Sequence, residues 1–168
     1  LQLMQTESLA ALVCQLNGDI VTIQETNSNR FVGNLDNPDD RAECRNFIAD
    51  FLQMPDPAML RIHQIKNGAF TDQPEPLVSI GGSASLAAFA AATGTKTDPR
   101  RFRLNLIIKT DTAFSENQWG GAKLKIGESI IEIVDDVKRC KAINVDPASA
   151  TRQPDHLVTM RQTFGHSY

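Results

Sequence analysis

Apolar residues along this chain recur mostly in short runs of period two, broken by turn residues and by three stretches of helical period. Leu9–Leu16 and Asp19–Gln24 flank Asn17-Gly18. That pair suits a type I′ turn, which needs positive φ at both central positions, so the spacing predicts a β-hairpin. Arg30–Leu35 continues the strand pattern. Asp36-Asn37-Pro38 then offers caps and a proline for the first helical position. Cys44, Phe47, Ile48 and Phe51 follow at i, i+3, i+4 and i+7, predicting a helix that runs to Leu52 and stops at Met54-Pro55-Asp56-Pro57.

Further on, Leu60–Ile65 reads as a strand and Asn67–Pro76 as a loop. Leu77–Ile80 is a short strand entering Gly81-Gly82-Ser83, and a helix over Ala84–Thr93 turns Leu86, Phe89 and Ala90 inward until Gly94 ends it. In Phe102–Ile108, Phe102, Leu104, Leu106 and Ile108 fall on one strand face, with Arg101, Arg103 and Asn105 on the other. Lys123–Ile126 and Ser129–Val134 form a hairpin across Gly127-Glu128. Val137–Val145 is one more strand, closed by Asp146-Pro147, and Asp155 caps a last helix through Phe164. Hairpins outnumber βαβ units, so the expected class is mainly β within α+β: a β-barrel or strongly bent sheet with a few peripheral helices. The pattern shows no repeat and no domain boundary.

With 168 residues, 41% hydrophobic and 22% charged, the chain can bury a core and is not disordered. No apolar run reaches the ~18 residues of a membrane span. The net charge of −3 argues against general binding to nucleic acid or anionic membranes. Positive charge gathers late: residues 96–168 carry twelve Lys/Arg against nine Asp/Glu, whereas residues 1–95 carry five against eleven. An anionic ligand is therefore expected in the second half. Three scattered cysteines exclude a disulfide framework, disfavour zinc or iron–sulfur ligation by this chain alone, and suit a reducing, cytoplasmic setting. The chain opens on Leu1 with no signal-peptide pattern, and so reads as a fragment or a processed product.

Phosphate-loop, dinucleotide, zinc-protease and serine-hydrolase motifs are all missing. His63, His156 and His166 are scattered and read as surface or capping residues; a Cys140–His156 nucleophile pair rests on nothing but coexistence. Gly81-Gly82-Ser83 could meet a phosphate with free N–H groups at a helix start, with Ser79 and Ser85 close by, or could simply be a tight turn capped by Ser83. Arg101, Arg103 and Asn105 could face an anion or merely solvent. Cys14, alternating with Leu12 and Leu16, and Cys44, on a helix stripe, read as packing. Cys140 differs, since Lys138, Arg139 and Lys141 around it favour thiolate; period two places it beside Lys138, Ala142 and Asn144.

The ordered series Asp98-Pro99-Arg100-Arg101-Phe102-Arg103-Leu104-Asn105, Trp119 with Leu124-Lys125-Ile126-Gly127, Arg139-Cys140 and Asn144-Val145-Asp146-Pro147 resembles the MOSC domain, named for the C-terminus of molybdenum-cofactor sulfurase. Phe164-Gly165-His166 resembles a motif near the end of its bacterial members. The resemblance assigns residues 70–168 to the MOSC domain and, more loosely, 1–69 to the remainder of the accompanying N-terminal β-barrel region, with one continuous unit as the alternative. Three differences stand out: Met4 where the reductases show Arg, Ala150 in place of a turn glycine, and a chain that reads as short at both ends against the family pattern.

What the resemblance implies is a β-barrel protein binding the molybdenum cofactor, a pyranopterin phosphate. In the amidoxime-reducing relatives, the cysteine matching Cys140 ligates molybdenum and the arginine matching Arg103, with Asn105 beside it, belongs to the cofactor-phosphate side. Ser79, Ser83, Ser85, Arg139, Asn144 and Asp146 complete the expected pocket. The implied reaction is reduction of a small N-oxygenated substrate, with electrons from a separate iron–sulfur or flavin partner. In the sulfurase branch the matching cysteine instead handles sulfur, making Cys140 a persulfide carrier in a module without turnover; a structural remnant is the third reading. A family-level association with pyridoxal phosphate comes with the resemblance.

Overall fold

A computed structural model describes residues 1–25, 30–63, 65, 75, 77–96 and 98–165. The chain divides into two compact units, Leu1–Pro76 with Ala148–Ala150, and Leu77–Pro147 with Thr151–Tyr168.

In the first unit, β1 (Leu12–Asn17), β2 (Ile20–Glu25) and β3 (Arg30–Asn34) form an antiparallel meander. The β1–β2 turn lies one residue later than the pattern predicts: Asn17 pairs with Ile20, so Gly18-Asp19 is the loop. Only Gly18 has positive φ there, +59°, which places the glycine first, as a type II′ turn requires. Helix α1 (Pro38–Phe51) starts as expected, with Asn37 Oδ1 accepting from the Asp39 N–H at 2.8 Å and Pro38 at the first position. It packs on β3 over Phe31, Cys44 and Ala49, all fully buried.

Burial fades across the sheet row Phe31–Ile23–Cys14, because α1 covers the β3 side. Cys14 is therefore exposed rather than packed. Cys44 is core, as the stripe predicted; burial pushes its thiol pKa up, and the Cys14 thiol adds to this. Residues 60–63 form no strand; a single 3-10 turn, Pro57–Met59, precedes them.

In the second unit, β4 (Ile80–Gly82), helix α2 (Ser83–Thr93) and β5 (Leu106–Ile108) make a βαβ unit whose strands are parallel, Gly81 opposite Ile107. β6 (Lys123–Ile126) and β7 (Ser129–Glu132) form the expected hairpin, Ile126 pairing with Ser129 across Gly127-Glu128. Helix α3 (His156–Phe164) begins where Asp155 predicted it, its carboxylate accepting from the N–H groups of Leu157 and Val158. The core gathers Phe89 of α2, Ile143 and Met160, with Phe102, Leu157 and Phe164 against them.

The architecture is α+β. Among the described residues the strands lie in separate sheets of three, two and two, and no sheet closes into a barrel. Besides the segment at 60–63, one expected strand is shortened and one is absent, for identifiable reasons. Phe102–Ile108 yields only β5, because Asp98 and Pro99 start a 3-10 turn over Pro99–Phe102 and Arg103 then turns left-handed (φ 52°, ψ 38°). Val137–Val145 gives no strand: a 3-10 turn over Lys141–Asn144 buries Ala142, Ile143 and Asn144 in succession, which period two forbids. The predicted loop at 67–74 and His166 lie outside the described residues.

Candidate functional site

All the candidate residues lie in the second unit, and one buried arginine organises the segment that carries most of them. Arg101, expected on an exposed strand face, has a side chain only 2% exposed. Its Nη1 donates to the carbonyls of Ile143 (2.9 Å) and Val145 (3.0 Å), and its Nη2 to Asp146 Oδ2 (3.1 Å) and Gln153 Oε1 (3.0 Å). These bonds hold the segment whose residues 141–144 form a 3-10 turn, after which Val145 returns to extended backbone and bridges antiparallel to Arg152. Gln153 in turn donates to Asp146 Oδ2 at 3.1 Å. Asp146, a candidate cofactor contact, is thus bound into the scaffold.

Asn144 has a comparable role. Its Oδ1 accepts from the His156 backbone N–H (3.1 Å) and its Nδ2 donates to Asp155 Oδ1 (3.4 Å), tying the 141–144 turn to the start of α3. His156 is a correction: it is buried, 3% exposed, with its ring edge-on to Phe89 at 5.4 Å and Nε2 3.2 Å from Gln153 Oε1. Burial, then the Arg101 charge, hold its pKa below the usual histidine range against the opposing pull of Asp155. The folded state therefore keeps His156 neutral, whereas the unfolded chain protonates near pH ~6.5. The stability this neutrality preserves is complete above that pH and is lost as pH falls toward the folded pKa. We expect the urea midpoint of the second unit to drop between about pH 7 and pH 5, and the drop to be shallower in His156→Gln. Asp98, held below the ordinary carboxylate range by its hydrogen bond to Arg100, acts only at lower pH.

The Gly81-Gly82-Ser83 turn does not receive an external anion at its first N–H groups. Gly82 N–H donates to Glu116 Oε1 at 2.9 Å and Ala84 N–H to Thr110 Oγ1 at 3.2 Å. A Cβ on Gly82 would lie 2.6 Å from Thr110 Oγ1 and 2.8 Å from Glu116 Oε2, so glycine is needed for this close approach. The negative charge expected at the helix start comes from Glu116, 34 residues away in sequence. The serines have partners of their own. Ser83 Oγ accepts from Thr110 N–H (3.2 Å) and Ser85 Oγ from Phe114 N–H (2.7 Å). Ser79 and Asn105 clasp each other, Ser79 N–H and Oγ both donating to Asn105 Oδ1 at 2.9 Å.

Three candidates remain directed toward solvent or a cavity. Cys140 is exposed, in extended conformation immediately before the 141–144 turn, with its carbonyl accepting from Ile143 N–H at 3.2 Å. Arg139 lies over the Phe102 ring, 5.4 Å from its centroid, which fixes it beside the residue preceding Arg103. Arg103 is exposed. Arg139 also lines a depression of about 280 Å³ with Leu157, Val158 and Arg161 of α3. The sequence reading missed those last three; the only signal for Arg161 was a cation in the last turn of a helix that follows the Arg-Cys motif.

Among the described residues no three His, Cys, Asp or Glu side chains gather into a metal-binding group. An accessible thiol between Arg139 and Lys141 in the chain fits a different donor set: a metal that arrives in an organic, anionic ligand and needs one soft protein donor. The profile of the MOSC domain matches residues 67–168, more than half of the chain. The chain belongs to the MOSC domain family. The MOSC segment contains every candidate residue from Ser79 to Asp146. Among curated proteins it is similar to a molybdenum cofactor sulfurase of Danio rerio, 33% identical over 72 residues, and to one of Drosophila grimshawi, 35% identical over 60. These stretches cover 39% and 36% of this chain but only 8% of each relative's length. No helix of the described residues is long and apolar enough to cross a membrane.

Proposed function

We propose that the MOSC segment binds the molybdenum cofactor, with the Cys140 thiol as the protein's ligand to the metal and Arg103 and Arg139 on the side of the cofactor phosphate. The observation that carries this reading is the placement of Cys140: an exposed thiol one residue from an arginine-lined depression, on a segment anchored by Arg101. When bound, the cofactor supplies a two-electron redox centre. The chain's own contribution is positional. The Arg101 network fixes residues 143–146, the Phe102 ring holds the half-buried Arg139, and Arg139 with the exposed Arg103 would neutralise phosphate by charge-assisted hydrogen bonds. The reaction served is reduction of small N-hydroxylated compounds in the cytoplasm, with electrons from a separate iron–sulfur or flavin protein.

A second reading, persulfide carriage by Cys140, is favoured by the names of the two relatives, both molybdenum cofactor sulfurases. Cofactor-loaded protein with an artificial electron donor separates them: benzamidoxime is reduced under the first reading and left intact under the second. Arg103→Ala is expected to weaken cofactor retention ten- to a hundredfold, the loss of one charge-assisted contact of about 1.5–3 kcal/mol. Its melting temperature is expected to stay near wild type, because the side chain is exposed and alanine leaves the backbone bond to Arg100 intact. A variant that melts much earlier would instead make Arg103 a structural residue.

A further inference from the structure

Residues 1–76 carry eleven Asp/Glu against five Lys/Arg. Three of those five, Arg41, Arg45 and Arg61, nevertheless line one cavity of about 320 Å³, together with His63, Pro38 and Ile62, and among the described residues no carboxylate lines it. All of these residues precede the MOSC match. Pro38, Arg41 and Arg45 share one face of α1, and like charges four residues apart on a helix repel each other. One acid of the same helix is engaged elsewhere. Asp40 is turned to β3, its Oδ2 accepting from Asn34 N–H at 2.7 Å. Arg41 is held in place by two backbone carbonyls, Nε donating to Leu35 O (2.8 Å) and Nη2 to Asp36 O (3.2 Å). Three of its five N–H donors remain beyond those two bonds.

A fixed guanidinium and two more beside it form a cationic wall, to which the His63 imidazole adds one ring N–H donor, and guanidinium forks match phosphate oxygens in pairs. Pro38 and Ile62 add apolar surface, and the volume lies at the small end of ligand pockets, about 300–1,000 Å³. We infer that this cavity binds a small phosphate-bearing molecule, Arg45 and Arg61 gripping the phosphate, Arg41 serving as the fixed donor, and Pro38 and Ile62 meeting the organic part. The site is independent of the cofactor reading for the second unit.

The test uses the full chain, titrated with glucose 6-phosphate, inorganic phosphate and glucose, and read by calorimetry and by amide shifts in NMR. Glucose 6-phosphate is expected to bind and to shift amides of residues 38–45 and 61–63, inorganic phosphate to bind more weakly, and glucose not to bind. At about tenfold per arginine, the Arg45→Ala/Arg61→Ala double variant should lose at least about a hundredfold in affinity. Arg61→Glu, at an exposed position, should abolish binding alone, while Arg30→Ala, outside the cavity, should leave it unchanged. Molybdenum content should be the same in all of these variants. Shifts confined to other residues, no binding at millimolar concentration, or equal affinity in the double variant would overturn the inference. Equal affinity for inorganic phosphate would remove the organic part from it.

Discussion

Arg101→Ala is expected to destabilise the second unit by about 3–5 kcal/mol, the usual cost of breaking a buried charged pair from one side. Four hydrogen bonds disappear together, and the groups left behind are two carbonyls of a buried turn, the Asp146 carboxylate and the Gln153 amide oxygen. Water cannot readily replace a guanidinium whose surroundings leave it 2% exposed. With domain stabilities of about 5–15 kcal/mol, a large fraction of the margin goes. Arg101→Lys should recover little, since an ammonium cannot address both carbonyls and both side chains from one planar fork. Trp119, the only tryptophan, lies in this unit and reports the transition by fluorescence in urea. A loss below about 1 kcal/mol would show that the network is dispensable.

The same arginine explains which parts of this fold were legible from sequence. Elements defined by neighbours in the chain could be read directly: the Asn37 and Asp155 caps, Pro38 at the start of α1, and the hairpin across Gly127-Glu128. Elements decided by distant partners could not. Alternation around Arg101, Arg103 and Asn105 looks like a strand, yet Arg101 points inward because its partners stand 42 to 52 residues later. Apolar spacing over Val137–Val145 looks like another strand, yet the Ile143 and Val145 carbonyls are taken by that guanidinium. The Gly81-Gly82-Ser83 turn looks open to phosphate, because nothing local announces Glu116. Cys14 looks buried because alternation gives a face but not what covers it.

For the candidate site, the ordered motifs pointed to the segment that the MOSC match covers, but they did not separate residues that hold the scaffold from residues that could meet a ligand. Asn144, Asp146, Ser83 and Ser85 satisfy the protein's own backbone and side chains. Cys140 and Arg103 are exposed, and Arg139 lies half-buried over the Phe102 ring. A residue type and its place in a motif do not encode that distinction; it depends on which polar groups the fold has already paired.

Cys140→Ser is expected to remove molybdenum from the protein while leaving the fold untouched. The side chain is exposed, so the substitution creates no cavity and strands no buried group, and the melting curve should overlay that of wild type. The effect on the metal should be far larger. A hydroxyl is a harder, more weakly coordinating donor than a thiolate, and no His/Cys/Asp/Glu cluster among the described residues stands ready to substitute for it. Outer-shell partners alone are worth 10–100-fold in metal affinity, so loss of the protein's direct ligand should exceed about a hundredfold. The most direct measurement is elemental analysis of molybdenum per chain, after purification from a host that synthesises the cofactor, for wild type and Cys140→Ser side by side. The account predicts near-stoichiometric metal in wild type and almost none in the variant. Equal molybdenum in the two proteins, or none in a folded wild type, would contradict it.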